Sequence, residues 1–475
     1  MWSPVYLLLL FCLGLVHALS STGNRLLVVI EELAEKERYS KFWNDLEARG
    51  YQVSFESPKN DKLSLFQHGE RAFDHLLLLP PKSKGFGPAL TPNILLDFIN
   101  KEGNILLTLS ATHPTPSSVN SLLLELDIHL PPDRNSLVVD HFHYDALSAT
   151  EKHDVLLLPP PQELKPGVKN YFALDDEKDK VIAFPRGVGQ TLGNASPLLA
   201  PVLRGSNTAY SYNPKDEPEA TEEPFAVGSQ LSLVSTLEAR NSARLTVLGS
   251  AEMLQNKWFG ATVKGPEKGG KETKTANQAF ARRISAWTFQ ELGVLKVGRV
   301  EHHLSAGDQQ SGSNDSVALL GELNPKIYRI KNDVTFTIEL SEYINDHYAP
   351  FLLPSPDDLQ LEFTMLSPYH RLNLHPSLTT FNSTLFTTSF TIPDQHGIFK
   401  FRVNYKRPFL TYLDVKEEVT VRHFAHDEWP RSWRISGAWV WIAGIGVTVV
   451  GWCGFVALWL WCEPVRETGK GKKTQ

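Results

Sequence analysis

The chain has 475 residues, 42% of them hydrophobic, and a formal net charge of −6 at pH 7. So mild an acidic balance excludes the broad basic surface a nucleic-acid partner needs, and the length supplies core for two or three domains. The 3 cysteines, Cys12, Cys453 and Cys462, all fall in or beside the two most apolar stretches, so the long segment between them has neither a disulfide nor a thiol nucleophile.

Taken in order, Val5–Val16 (VYLLLLFCLGLV) is an apolar run too short to span a bilayer and suited to the core of a signal peptide over 1–20. Small residues place the cut after Ala18 or Ser20; the lack of Lys or Arg before the run keeps an uncleaved anchor as the alternative. Residues 21–304 then alternate strand and helix patterns. Arg25–Ile30, Tyr51–Phe55, His75–Leu79 and Ile105–Leu109 are short continuous apolar strands. Between them lie helices over Tyr39–Arg49, closed by Gly50, and from Thr91-Pro92 to Gly103. Val155–Leu158, Val181–Phe184 and Arg244–Leu248 read as further strands, and Ala276–Leu292 as a strong helix. Buried apolar strands alternating with helices predict a doubly wound α/β sheet; such a region resembles the class I glutamine-amidotransferase type, without the cysteine nucleophile that chemistry needs.

Ser305–Ser316 (SAGDQQSGSNDS) is a linker in composition, marking a boundary over 305–316. Beyond it the period changes to two: Val334, Phe336, Ile338 and Leu340 alternate with polar residues, as do Leu359, Leu361 and Phe363, then Phe399, Phe401, Val403 and Tyr405. This predicts a β-sandwich over 317–424. Ile435–Cys462 carries no charge and exceeds the roughly 20 residues that cross a bilayer, with Trp439, Trp441, Trp459 and Trp461 at its ends. Gly437, Gly444 and Gly451 recur along it every seven residues, a small-residue seam for a neighbouring transmembrane helix. The tail over 463–475 ends with Lys472 and Lys473 at the spacing of a dilysine retrieval signal, which a receptor reads. Together these predict a single-pass type I protein of the endoplasmic reticulum (ER) membrane, with most of the chain in the lumen. Asn194, Asn314 and Asn382 head sequons there and are candidate glycan acceptors.

Candidates for chemistry are sparse. Glu31 and Glu32 follow the first strand, and Ser110, Thr112 and His113 the fourth, where an α/β sheet binds ligands; helix capping is the simpler role for the acids. Gly187-Val188-Gly189 lacks the third glycine of a dinucleotide loop and reads as a turn. His141 and His143 in DHFHYD would share one face of a strand, a spacing zinc can use, but no third ligand lies nearby, and His302-His303 and His423/His426 are weaker still. No catalytic, cofactor or metal residue is assigned.

Runs spread over nearly the whole chain, VVDHFHYD, FPRGVGQTLGN, EARNSARLTVLGSAEML, ISAWTFQELGVLKVGRVEHH, DDLQLEF and GIFKFRVNYKR, resemble the 48 kDa-type non-catalytic subunit of the ER oligosaccharyltransferase. That resemblance implies a role in stabilising a complex that transfers a preassembled glycan from dolichyl diphosphate to Asn of Asn-X-Ser/Thr. It implies as partners a catalytic polytopic subunit, ribophorin-type subunits and small membrane subunits, with the translocon nearby, and it carries over no catalytic residue. The acidic run Pro214–Pro224 and the Lys/Gly-rich run Lys264–Lys274 look inserted relative to that family. An ER cargo or glycan-binding receptor and a lumenal hydrolase are the alternative functions.

Overall fold

A computed structural model describes residues 19–60, 63–83, 85–133, 136–174, 180–214, 223–266, 272–305, 322–428 and 439–462. The first eighteen residues of the expected signal peptide, most of the 305–316 linker, Asn314, Gly437 and the tail with Lys472 and Lys473 lie outside the described residues.

The first region begins with β1 (Arg25–Val29), α1 (Ser40–Ala48), β2 (Gln52–Glu56), β3 (His75–Leu78), α2 (Pro92–Asn100), β4 (Asn104–Thr108) and α3 (Ser117–Glu125). It continues with β5 (Leu199–Arg204), β6 (Ser232–Glu238), β7 (Arg244–Leu248) and α4 (Asn277–Thr288). Seven strands form one mixed sheet in the order β5-β6-β7-β4-β3-β1-β2. The run from β7 to β2 is parallel, while β5 and β6 are antiparallel additions at one end.

Alternate residues of the parallel strands face opposite ways. Leu26, Val28, Leu77 and Leu106 join an apolar cluster with Phe42, Trp43 and Leu46 of α1 and Phe280 and Ile284 of α4. Leu27, Val29, Leu76, Leu78 and Leu107 join another with Leu95 and Phe98 of α2 and Leu122 and Leu123 of α3. Helices therefore cover both faces, which is why these strands read as unbroken apolar runs. Local chemistry fixes the helix ends. Thr91 accepts a hydrogen bond from the Ile94 amide, and Pro92 occupies the first turn of α2, where its missing N–H costs nothing. At Gly103 a Cβ would lie 2.3 Å from the Phe98 ring, so only glycine lets the chain turn there into β4.

Two expected strands depart from that sheet. Val155–Leu158 pairs antiparallel with Ile182–Pro185 in a separate two-stranded sheet. Asn277, at the start of α4, binds both the N–H and the C=O of Ala183 and so holds this ribbon on the helix.

The second region comprises β8 (Leu292–Leu304), β9 (Ile327–Arg329), β10 (Asp333–Ile344), β11 (His347–Pro350), β12 (Leu359–Thr364), β13 (Pro368–Thr379), β14 (Thr384–Thr391), β15 (Gly397–Tyr405) and β16 (Leu413–Arg422). These form one nine-stranded sheet, β8-β10-β14-β13-β12-β15-β16-β9, with β11 also on β10. Although β8 precedes the linker in sequence, it pairs with β10 along most of its length. In place of two separate layers a single sheet curls over: β13 pairs with β12 through Leu374 and with β14 from His375 onward. The two arms face each other across aromatic side chains. Phe336 of β10 stacks on Phe401 of β15 with centroids 5.4 Å apart, and Phe363 of β12 meets Phe390 of β14 at 5.2 Å. The core is continuous with the α1/α4 side of the first sheet, since one buried cluster contains Leu26, Trp287, Phe336 and Phe401.

Last comes α5 (Trp439–Trp461), inside the expected 435–462 span, with a mean hydropathy of 1.9 over its most apolar window and none of that window buried against the rest of the chain. By length and composition it is the one helix among the described residues able to cross a membrane.

Candidate functional site

At the carboxyl ends of the parallel strands, the acids serve structure. Glu31 accepts hydrogen bonds from the backbone amides of Lys82 and Ser83 and pairs with Lys59 at 2.8 Å, contacts that hold its carboxyl below the usual range against the opposing effect of burial. Lys82 bridges Glu32 and Glu35, each at 3.0 Å. Ser110 and Thr112 bond each other at 2.7 Å and line, with His113, a pocket of about 70 Å³, too small for more than a few waters. Two carboxylates also line that pocket, Glu35 paired with Lys82 and Glu252 paired with Arg186.

His141 and His143 are not on a strand. Residues 141–143 form a bend because buried Asp140 accepts from the Phe142 amide at 2.8 Å, as well as from Ser206 and Thr208. His143 is turned back onto Asp140 at 3.1 Å, whereas His141 contacts His153 and lies 3.0 Å from the Tyr210 hydroxyl. Among the described residues no three His, Cys, Asp or Glu side chains gather as metal ligands. Gly187 and Gly189 serve packing: a Cβ on either would strike Phe184 or Leu231.

Sequence reasoning did not single out the buried charges between the two sheets. The Arg244 guanidinium is fully enclosed and donates to three carbonyls, those of Trp287 at 2.8 Å, Leu292 at 2.6 Å and Gly293 at 2.7 Å. Glu238 lies 3.7 Å from it, and burial pushes that carboxyl up to about 7. Trp287 stacks under Arg244, with 4.6 Å between guanidinium carbon and ring centroid, and donates its indole N–H to the Phe409 carbonyl of the second region at 2.9 Å. Nearby, Glu342 of β10 accepts from Lys169 at 2.7 Å and from the Tyr171 hydroxyl at 2.7 Å. Glu291 accepts from Arg49 and Tyr51, both at 2.7 Å. The available signal was an arginine opening an otherwise apolar strand, RLTVL, and acids beside other apolar runs.

On another side the regions part to leave a cleft of about 900 Å³, bounded by Lys165, Asn194, Arg204, Asp357, Lys406 and Arg407 among others. Of the candidate acceptors, Asn194 is exposed on this wall, and Asn382 is exposed at the turn between β13 and β14. Gly444 and Gly451 lie along α5, where an added Cβ would meet nothing within 4 Å.

Two family models cover nearly all of this architecture: the OST48 N-terminal domain matches residues 17–291 and the OST48 middle domain residues 309–463. The chain is 32% identical over 438 residues to the dolichyl-diphosphooligosaccharide–protein glycosyltransferase subunit wbp1 of Schizosaccharomyces pombe, covering 92% of each chain. The 48 kDa subunits of the same glycosyltransferase from Arabidopsis thaliana and Caenorhabditis elegans are 30% and 31% identical, over 86% and 90% of this chain and 87% and 89% of theirs. Among solved structures there is a weak likeness to a ThuA-like protein of Parabacteroides merdae, at 13% identity and a TM-score of 0.24, over 56% of this chain and 89% of that one. Domain matches and near-full-length identity agree: the chain belongs to the OST48 family.

Proposed function

We propose that the chain is a non-catalytic, assembly-stabilising subunit of the oligosaccharyltransferase complex, which moves a preassembled high-mannose glycan from dolichyl diphosphate to Asn of Asn-X-Ser/Thr. The observation that carries the reading is identity of about 30% along almost the entire chain to proteins named as subunits of that glycosyltransferase. Its non-catalytic character is supported by the use of the deeply buried acids Glu291 and Glu342, both hydrogen-bonded inside the fold. The parallel strand order and the helices on both faces favour a doubly wound sheet of the amidotransferase type. In this reading residues 21–424 lie in the ER lumen and α5 spans the membrane. Gly437, Gly444 and Gly451 then pack against another membrane helix, and Lys472 and Lys473 act as the retrieval signal. Partners are the catalytic polytopic subunit, ribophorin-type subunits and small membrane subunits. Asn194, Asn314 and Asn382 are acceptor candidates for the complex's own chemistry.

The test is purification in mild detergent through a tag after residue 20, with mass identification of co-purifying chains and an assay of glycan transfer to a sequon peptide. Recovery of a polytopic glycosyltransferase, with transfer that falls when this chain is depleted, is the expected result. A lone chain with no transferase attached would sink the reading.

A further inference from the structure

The cleft between the two regions combines two features that no interaction within the described chain uses. One is an open sheet edge. β5 ends the seven-stranded sheet, pairing with β6 on one side only, and Leu199, Ala200, Pro201 and Arg204 line the cleft. An unpaired edge presents a row of main-chain donors and acceptors to whatever extended chain reaches it. The second feature is charge. Lys165 and Arg204 form no side-chain hydrogen bond or ion pair with any described residue, and Lys406 only overlies the Tyr412 ring at 5.3 Å. The single lining carboxylate, Asp357, is already held by Arg407 and by the Tyr405 hydroxyl at 2.6 Å. The walls come from both regions, so the cleft exists only once they are joined.

We propose that this cleft docks an acidic, extended stretch of a partner polypeptide, which adds as a further strand to the free edge of β5. A small phosphate-like anion fits less well. Such ligands are held by converging amides at a helix N-terminus or a glycine-rich loop. Here the lining is strand and proline-bearing turn, including Pro166, Pro197 and Pro356. Strand addition draws affinity from main-chain hydrogen bonds and specificity from side chains, here the three cations on the rim. Its volume lies within the range of specific binding sites, roughly 300–1,000 Å³. Pro201 has no N–H, and the β5–β6 register shifts between Pro201 and Arg204, so the added ladder carries one gap. Such an irregular edge resists indiscriminate pairing while leaving the exposed Arg204 on the cleft wall. The proposal is independent of the assembly reading, because it rests on the edge and its charges alone.

The experiment uses the full chain in mild detergent with three probes: a fluorescent peptide of alternating Glu and Thr, its Lys counterpart, and inorganic pyrophosphate. The acidic peptide should bind with an affinity that falls in high salt, and the Lys peptide should not. The pair Arg204→Glu with Lys406→Glu should weaken binding by about ten-fold or more. Peptide should also slow hydrogen exchange at the outward-facing amides of β5, alternate residues along the strand. Equal binding of both peptides, undiminished binding to the charge-reversed pair, or displacement of the peptide by pyrophosphate without protection of those amides would overturn the proposal. Should the paired variant fail to fold, exchange on the unaltered chain decides, since binding without edge protection also overturns it.

Discussion

Two seams join the sheets, and they use charge in opposite ways. Along the dry seam, Arg244, Glu238 and Glu342 sit with Trp287, Tyr171 and Phe409, and the terminal nitrogens of Arg244 donate to three backbone carbonyls above the Trp287 ring, while its Nε makes no hydrogen bond. Along the wet seam, Lys165, Arg204 and Lys406 face a cleft of about 900 Å³. The residue types are the same; water decides what they do. A cation stripped of water must be satisfied inside the fold or it destabilises it, whereas a hydrated one is free to meet something else.

Disrupting the dry seam should therefore cost stability, and changing the wet one should not. Trp287→Ala removes a fully buried ring and the tie to the Phe409 carbonyl, and about 3–5 kcal/mol of stability should be lost in denaturant unfolding. Arg244→Met leaves Glu238 buried beside no cation and should cost a comparable ~3–5 kcal/mol. Adding Glu238→Met to it should recover much of that loss; no recovery would mean that the three carbonyl contacts, not the pair, are what Arg244 provides.

Gly293 has φ +68°, and a Cβ there would lie 2.7 Å from the Phe409 carbonyl. Gly293→Ala should accordingly cost about 1–3 kcal/mol, read as a lowered midpoint with unchanged far-ultraviolet dichroism.

A pH series separates the seam from the first sheet by sign. The Glu238 carboxyl is raised in the fold, from 4.5 to about 7, so its contribution is complete below about 4.5 and is lost as pH rises towards 7. His75, enclosed beside the Gly23 carbonyl, is lowered by burial from 6.5 to about 4; its contribution is present above 6.5 and lost as pH falls through 4. Glu238→Gln should flatten the first slope in thermal unfolding and leave the second. The smallest effect belongs to Lys165→Gln, for which the unfolding midpoint should not move while acidic-peptide binding weakens.

Much of the fold was legible because its signals are local. The apolar runs of β1, β3 and β4 mark strands covered on both faces, and the alternation in β10, β12 and β15 marks strands with one covered face. β8 was hidden in the α/β region because its residues run from buried to exposed without a clean period, LGVLKVGRVEHHL, and two register shifts interrupt its pairing. The strand expected at His141 and His143 failed because the Asp140 carboxylate competes for the backbone amide of Phe142. Least legible were the seams. Nothing near Arg244 in sequence announces the carbonyls of Leu292 and Gly293, and nothing near Lys165 announces Lys406; only the closed fold brings them together.

The strand β13 serves both arms of the curled sheet, pairing with β12 at one end and β14 at the other. A sandwich of independent layers could lose one and keep the other for a time. Here the arms share a backbone, so melting either pulls on the ladder of its opposite, and the region should open as one cooperative unit. A family member anchored at one end and bound to neighbours elsewhere would then pass tension through this region without yielding piecemeal, more like a hem than a hinge.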